Sequence, residues 1–219
     1  VKFVEILYQD AGYYVFNKPA GLLVVPAPDE QKTLTDLVNQ QYPPQAGEGL
    51  LYPCHRLDRD TSGVIIFARG KKNQQLLMDE FRKRSVKKEY IAFVQGKMRQ
   101  PHGVINRPIS SFEEKRFDRC AQPKPAITEY HVLKQKTGYS IVQVFIKTGR
   151  TNQIRIHLGM VGNPLVGERK YAFAKDFELK FRRTALHAAA VTWYHPITKK
   201  EVHVQTPLPE DMMLFIANH

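Results

Sequence analysis

The sequence predicts an α+β fold, one catalytic-sized domain on a mostly antiparallel mixed β-sheet flanked by helices and loops. Three observations carry that prediction. Short β-branched stretches recur in pairs joined by glycine- or proline-containing turns, the pattern of hairpins. Segments with apolar residues at helical spacing fall between the pairs. No linker, repeat or low-complexity stretch divides the 219 residues, so a single domain over 1–219 is expected.

Residues 4–10 alternate enough for a strand, and Ala11-Gly12 turns the chain into Tyr13-Tyr14-Val15-Phe16. This first hairpin ends in Asn17-Lys18-Pro19-Ala20-Gly21. Pro19 fixes its own φ and biases Lys18 to extended backbone, so an ammonium presented at a rigid strand end is expected, or else a plain exposed turn lysine. Residues 33–42 read as a short helix with Leu34, Leu37 and Val38 on one side, and 43–51, with two prolines and two glycines, as a loop.

Val64-Ile65-Ile66-Phe67-Ala68, between Gly63 and Gly70, reads as a buried strand. In 71–84, Leu76, Leu77 and Phe81 share one side of a helix. Its basic end (Arg82, Lys83, Arg84, then Lys87 and Lys88) suits either the negative pole of that helix or a polyanion. Tyr90 opens a strand over 90–94. Residues 98–125 are polar, basic and irregular, and with Arg116, Arg119 and Lys124 they are expected to form a surface excursion contacting the ligand. Residues 127–133 and 140–146 pair as a hairpin. After Gly149 a helix capped by Thr151 would bury Ile154, Leu158 and Val161, and would stop at Gly162-Asn163-Pro164. Residues 184–193, interrupted by His187, form a strand with 201–205 as its antiparallel partner. An amphipathic helix over 211–217 ends the chain.

Composition narrows the partners. Lys and Arg number 33 against 21 acids, a formal net charge of +12. That surplus favours polyanions, nucleic acid before anionic membrane. No apolar run approaches the ~20 residues of a membrane span, and no signal-like segment opens the chain. Two distant cysteines, Cys54 and Cys120, suit a reducing, cytoplasmic setting and argue against a disulfide framework or thiolate zinc site. No H-E-x-x-H spacing, G-x-S-x-G elbow or Walker-type loop is present, so no metal is expected.

Two clusters carry the chemistry. Cys54-His55-Arg56-Leu57-Asp58-Arg59-Asp60-Thr61-Ser62-Gly63 packs two acids and two arginines into five residues at the lip of the buried strand. Guanidinium groups beside Asp58 favour its ionised form, making it a candidate nucleophile or base. The same spacing suits a turn in which Asp58 caps the loop backbone and the arginines are solvated. In the second cluster, Gly149-Arg150-Thr151-Asn152-Gln153-Ile154-Arg155-Ile156-His157, Arg155 lies next to the buried side. A partly buried arginine needs an anionic partner, and Asp58 is the economical choice. Tyr90, just after the basic run, is either core packing or a platform for an unstacked base.

Taken together, the chain resembles the RluA-type pseudouridine synthases, which isomerise uridine to pseudouridine in ribosomal or transfer RNA. The resemblance is carried by Asn17-Lys18-Pro19-x-Gly21, His55-Arg56-Leu57-Asp58-x-x-Thr61-Ser62-Gly63, Lys88-x-Tyr90, Gly149-Arg150-x-x-Gln153-Ile154-Arg155-x-His157 and Leu186-His187-Ala188. They occur in the family's order across nearly the whole chain. Asn152 departs from the pattern, standing where the family usually has histidine. The small S4-like domain that precedes the catalytic domain in many relatives is not expected.

The resemblance implies the pseudouridine synthase fold and three catalytic residues. Asp58 would act on the sugar or the base, Arg155 would hold its carboxylate ionised, and Tyr90 would stack on the target base. Three routes stay open for Asp58: attack on the anomeric carbon, addition to the base, or removal of a sugar proton. It further implies that Arg56 fills the gap left by an extruded uridine. Lys18 and Arg150 would contact phosphate or tie the site together, and Arg59, Lys88 and Asn152 would join the RNA-binding set. No cofactor is called for, and a monomer acting on structured RNA is the simplest expectation. Two competing readings are a non-catalytic RNA-binding module and a glycosidase pairing Asp58 with Asp60. Residues two apart share no obvious convergence across a bond, which disfavours the second.

Overall fold

The computed structural model describes residues 3–27, 32–110, 122–172 and 179–219. In chain order its elements are β1 (Ile6–Gln9), β2 (Tyr13–Lys18), α1 (Leu34–Gln41), β3 (Leu51–Pro53), β4 (Ser62–Arg69), α2 (Gly70–Arg82) and β5 (Lys87–Gln95). The rest are β6 (His102–Asn106), β7 (Ile127–Lys136), β8 (Tyr139–Ile146), α3 (Gln153–Met160), β9 (Leu186–Tyr194), β10 (Glu201–Gln205) and α4 (Glu210–Asn218). The chain divides into two units, Val1–Lys88 with Ala188–Pro209, and Glu89–His187 with Glu210–His219.

In the first unit the strand order is β1-β2-β4-β9, with β3 also on β4 and β10 on β9. The first hairpin closes because Asp10 Oδ1 accepts from the backbone N–H of Gly12 and Tyr13, each at 2.8 Å. Every residue of β4 is buried. A strand covered on both faces reads as a continuous apolar run rather than an alternation. Val64, Ile66 and Ala68 join Tyr13, Leu77, Val191 and Trp193 in one core. Phe67 instead meets Phe16 edge-on at 5.5 Å. Gly63 is required at the mouth of β4: its φ is +109° and a Cβ there would lie 2.1 Å from the Ala188 carbonyl oxygen. α1 starts at a full capping box in which Thr33 and Asp36 bond each other's backbone N–H. Leu51, expected to end the loop over 43–51, instead opens Leu51–Pro53, which pairs with β4 from Leu51↔Arg69 to Pro53↔Phe67; three residues are too few to show a period.

In the second unit the order is β5-β8-β7-β6, and these pairings are antiparallel. The β7–β8 hairpin turns at Thr137-Gly138, with Gly138 at φ +82°. Within the expected excursion over 98–125, His102–Asn106 is a strand paired with β7. Its residues are mostly exposed, so it carries little apolar pattern to read. Arg116 and Arg119 lie outside the described residues, and Lys124 makes a bridge to Ile109. The N-cap position of α3 is Asn152, not Thr151: Asn152 is left-handed at φ 54°, ψ 21°, and makes no side-chain cap. Val161 is 40% exposed because the helix has ended by then, and His157 and Gln153 take the buried places. Phe215 of α4 packs on Phe93 and Tyr139, and Arg183 forks onto Asp211 at 2.7 and 3.0 Å. Among the described residues no helix is long and apolar enough to cross a membrane.

Candidate active site

The loop over 54–61 carries Asp58 between β3 and β4 in the first unit. Both ends of this loop are fastened through the main chain. At one end the Ile66 N–H donates to His55 Nε2 at 3.0 Å while the Cys54 N–H donates to the Ile66 carbonyl at 2.9 Å. At the other, the Gly21 N–H donates to the Arg59 carbonyl at 2.9 Å, and Thr61 N–H to the Asp58 carbonyl at 3.1 Å. Leu57 is buried, whereas Arg56 and Arg59 are exposed and Asp58 is partly buried. The apolar and charged side chains of the loop therefore part company, with the carboxylate between them.

Lys18 corrects the expectation of an exposed ammonium. It is fully buried, and Nζ donates to the carbonyls of Pro19, Arg59 and Thr61, each at 2.9 Å. Those bonds use all three N–H donors of a lysine. Lys18 is thus a tie across the base of the acid loop and is removed from phosphate contact. Pro19 has no N–H and a fixed φ, so it offers its carbonyl in a set direction.

Behind the loop, His55 packs against the Phe81 ring at 5.1 Å, and Lys88 Nζ lies 5.5 Å from the same ring. Burial lowers the Lys88 pKa to about 8. Burial first, then the Lys88 charge, push His55 down to about 3, against an opposing bond with the Arg56 backbone. His55 is therefore neutral, which matches its Nε2 acting as acceptor. Lys88 is partly buried in this cluster, with its ammonium over the Phe81 ring.

In the second unit Tyr90 sits on β5 opposite Val144 and is 6% exposed. Arg155, one turn into α3, is held by a residue not anticipated from sequence. Glu168, whose side chain is fully buried, accepts from Arg155 Nε at 2.7 Å and from one terminal nitrogen at 2.8 Å. The other terminal nitrogen donates to Asn152 Oδ1 at 2.9 Å, and Asn152 Nδ2 donates to the Tyr171 hydroxyl at 3.0 Å. The Tyr171 ring lies 5.2 Å from the guanidinium carbon. Burial alone would raise the Glu168 pKa, but Arg155 and the N–H groups of Lys170 and Tyr171 outweigh it and hold the carboxyl below its ordinary value. Removing one partner of such a buried pair costs about 3–5 kcal/mol. Both ends of the Asn152 amide are thus engaged in the arginine's surroundings.

Gln153 closes the approach to α3. Its oxygen accepts from Thr148 Oγ1 at 2.7 Å and Arg150 N–H at 3.0 Å, while Nε2 donates to the Ile127 carbonyl and Thr128 Oγ1. Arg150 is partly buried, with Nε on the Pro125 carbonyl at 3.0 Å. The signal for Glu168 was faint: an acid between Gly167 and the basic pair Arg169-Lys170, with no period to place it.

The fold is shared with two solved human proteins named for an RNA pseudouridylate synthase domain. Human RNA pseudouridylate synthase domain containing 4 superposes with a TM-score of 0.78 at 26% identity, covering 95% of this chain and 90% of that one. Human RNA pseudouridylate synthase domain containing 1 gives 0.75 at 28%, covering 94% and 83%. Fold and charged loop together define the class, an RNA-directed isomerase. The profile described as RNA pseudouridylate synthase matches residues 12–159, well over half the chain. An uncharacterized RNA pseudouridine synthase of Bacillus subtilis, YhcT, is 35% identical over 95% of this chain and 70% of its own length. Ribosomal large subunit pseudouridine synthase D of Escherichia coli K12 is 33% identical over 97% and 69%. The chain belongs to the RNA pseudouridylate synthase family, and it converts uridine in RNA to pseudouridine.

Proposed function

We propose that this enzyme acts on a uridine of ribosomal large-subunit RNA, with Asp58 as the group that works on the glycosidic bond. The observation that carries the RNA class is the 33% identity, over 97% of the chain, to a relative named for the ribosomal large subunit. For Asp58, support comes from a partly buried carboxylate on a loop whose backbone is fastened at both ends. A rigid, half-dry setting favours a reacting group over a mobile surface acid.

The chemistry is an isomerisation. The N1–C1′ bond breaks, the base turns, C5 bonds to C1′, the C5 proton leaves and N1 gains one. Atoms balance within the nucleotide, so no external group enters. Tyr90 packs under the target base, Arg155 keeps the carboxylate ionised, and the exposed Arg56 takes the space an extruded uridine leaves. Arg59 and Arg150 hold backbone phosphate. Lys18, Lys88 and Asn152, whose side chains are engaged inside the protein, are outside this footprint. The enzyme works as a cytoplasmic monomer without a metal, which sedimentation and activity in the presence of a chelator test directly.

Carbodiimide mapping of pseudouridine in total RNA, from cells with and without this protein, is the decisive experiment. One uridine of large-subunit RNA loses its signal in the deficient cells. A lost signal in transfer RNA instead overturns the assigned substrate, and an unchanged map overturns the reading altogether.

A further inference from the structure

Glu168 has no part in the roles assigned so far, yet its carboxylate is fastened from several sides. Oε1 accepts from Arg155, from the Lys170 N–H at 2.8 Å and from the Tyr171 N–H at 3.3 Å, while Oε2 takes Arg155 Nε. A carboxylate bound by two backbone N–H groups cannot follow a moving guanidinium; the guanidinium must come to it.

The segment bearing Glu168 is itself immobilised. Gly167, at φ +78°, presses so closely on the next stretch that a Cβ would lie 1.9 Å from the Arg183 carbonyl oxygen. The Val166 N–H donates to the Phe93 carbonyl at 2.8 Å, and the Ala185 N–H to the Val166 carbonyl at 2.9 Å. Phe93 is on β5, the strand that also carries Tyr90. The Val166–Phe93 bond therefore ties the Tyr90 strand to the segment two residues before Glu168, and two side-chain bonds lead from Glu168 to Arg155.

We propose that Glu168 is a positioning residue of the isomerisation, fixing the plane of Arg155 with Asn152 as its second support. The inference rests on the assignment of Asp58 and Arg155 above. A side-on fork at Nε and one terminal nitrogen sets the orientation of a planar group about its long axis. Asn152 then stops rotation from the other side, and Tyr171 covers the face. Without the fork, the same arginine would sample many rotamers and present its charge in the productive direction only part of the time.

The test is steady-state tritium release from RNA labelled at uridine C5, with wild type, Asp58→Asn, Glu168→Gln, Glu168→Asp and Asn152→Ala run together. Glu168→Gln is expected to lower kcat about 30-fold while KM for RNA stays within about threefold, because geometry and not affinity is lost. Glu168→Asp restores kcat to within about fivefold of wild type, since the backbone N–H groups of Lys170 and Tyr171 still seat a carboxylate. Asn152→Ala lowers kcat about fivefold at unchanged KM, and decides the matter if Glu168→Gln does not fold. Wild-type kcat in folded Glu168→Gln, or an effect confined to KM, overturns the proposal. Asp58→Asn separates the two layers: if it turns over like wild type, the site assignment fails; if it is inert while the Glu168 and Asn152 variants match wild type, only the positioning role fails.

Discussion

The acid loop and the arginine helix solve one problem, holding a charge still, in opposite ways. In the loop of the first unit a buried cation, Lys18, gathers main-chain carbonyls from Pro19, Arg59 and Thr61. In the second unit a buried anion, Glu168, gathers a side chain, Arg155, and the main chain holds the anion. Lys18 acts on the backbone of its loop, whereas Glu168 acts on a side chain and leaves the helix backbone to its own hydrogen bonds. Backbone tethering suits a short aspartate, whose carboxylate stands close to the turn that carries it. Side-chain tethering suits a long arginine with many rotamers to lose.

The contrast makes ordered predictions. Asp58→Asn is the largest: turnover falls by about 1,000-fold or more, while RNA affinity measured by filter binding stays within severalfold. Near-normal turnover would detach the loop from the chemistry. Lys18→Met comes next. It takes the ammonium from three carbonyls, of which that of Arg59 keeps the Gly21 N–H; each carbonyl left unpaired costs about 1–3 kcal/mol, so a loss of about 3 kcal/mol and about 10 °C in Tm is expected. Activity falls with it, since the acid loop loses its base. An unchanged melting curve would dissolve the distinction between the two fastenings.

A third prediction concerns pH. His55 takes a proton near pH 6.5 when unfolded but only near pH 3 in the folded chain. The unfolded state therefore binds more protons in that window, and stability is complete above about pH 6.5 and declines as pH falls toward 3. The expected loss is about 2–3 kcal/mol by urea titration between about pH 7 and pH 4, and His55→Gln flattens the curve. The smallest effect belongs to Arg59, whose side chain is exposed and whose carbonyl is part of the tether. Arg59→Ala leaves Tm within a degree or two, weakens RNA binding a fewfold, and makes log K against log salt shallower by about 1. A large fall in Tm would show that the guanidinium also holds the loop.

Much of the fold was legible because its signals are local. Val64 to Ala68 is a continuous apolar run, and Leu34, Leu37 and Val38 share the buried side of α1 as their spacing indicates. The three hairpins with turns at Ala11-Gly12, Gly138 and residues 196–199 formed as expected. What escaped was short or exposed. β3 has three residues, and β6 presents mostly exposed positions to solvent. The cap at Asn152 escaped because its backbone is left-handed and its side chain bonds Arg155 instead of capping the helix, neither of which spacing records.

The amino-acid order alone determined which residues are near one another along the strand and turn: an acid between arginines, a lysine before proline, an arginine beside the buried side of a helix. It also carried the family resemblance, because ordered motifs are a property of sequence. Tertiary structure alone decided what becomes of each charge. Lys18 reads on paper as a presented ammonium and Arg155 as a half-buried cation in need of an anion; burial turned the first inward onto carbonyls and brought Glu168 to the second. The reason is that desolvating a charge requires a partner within about 3 Å, and Glu168 comes from a loop 13 residues on whose path no periodicity records.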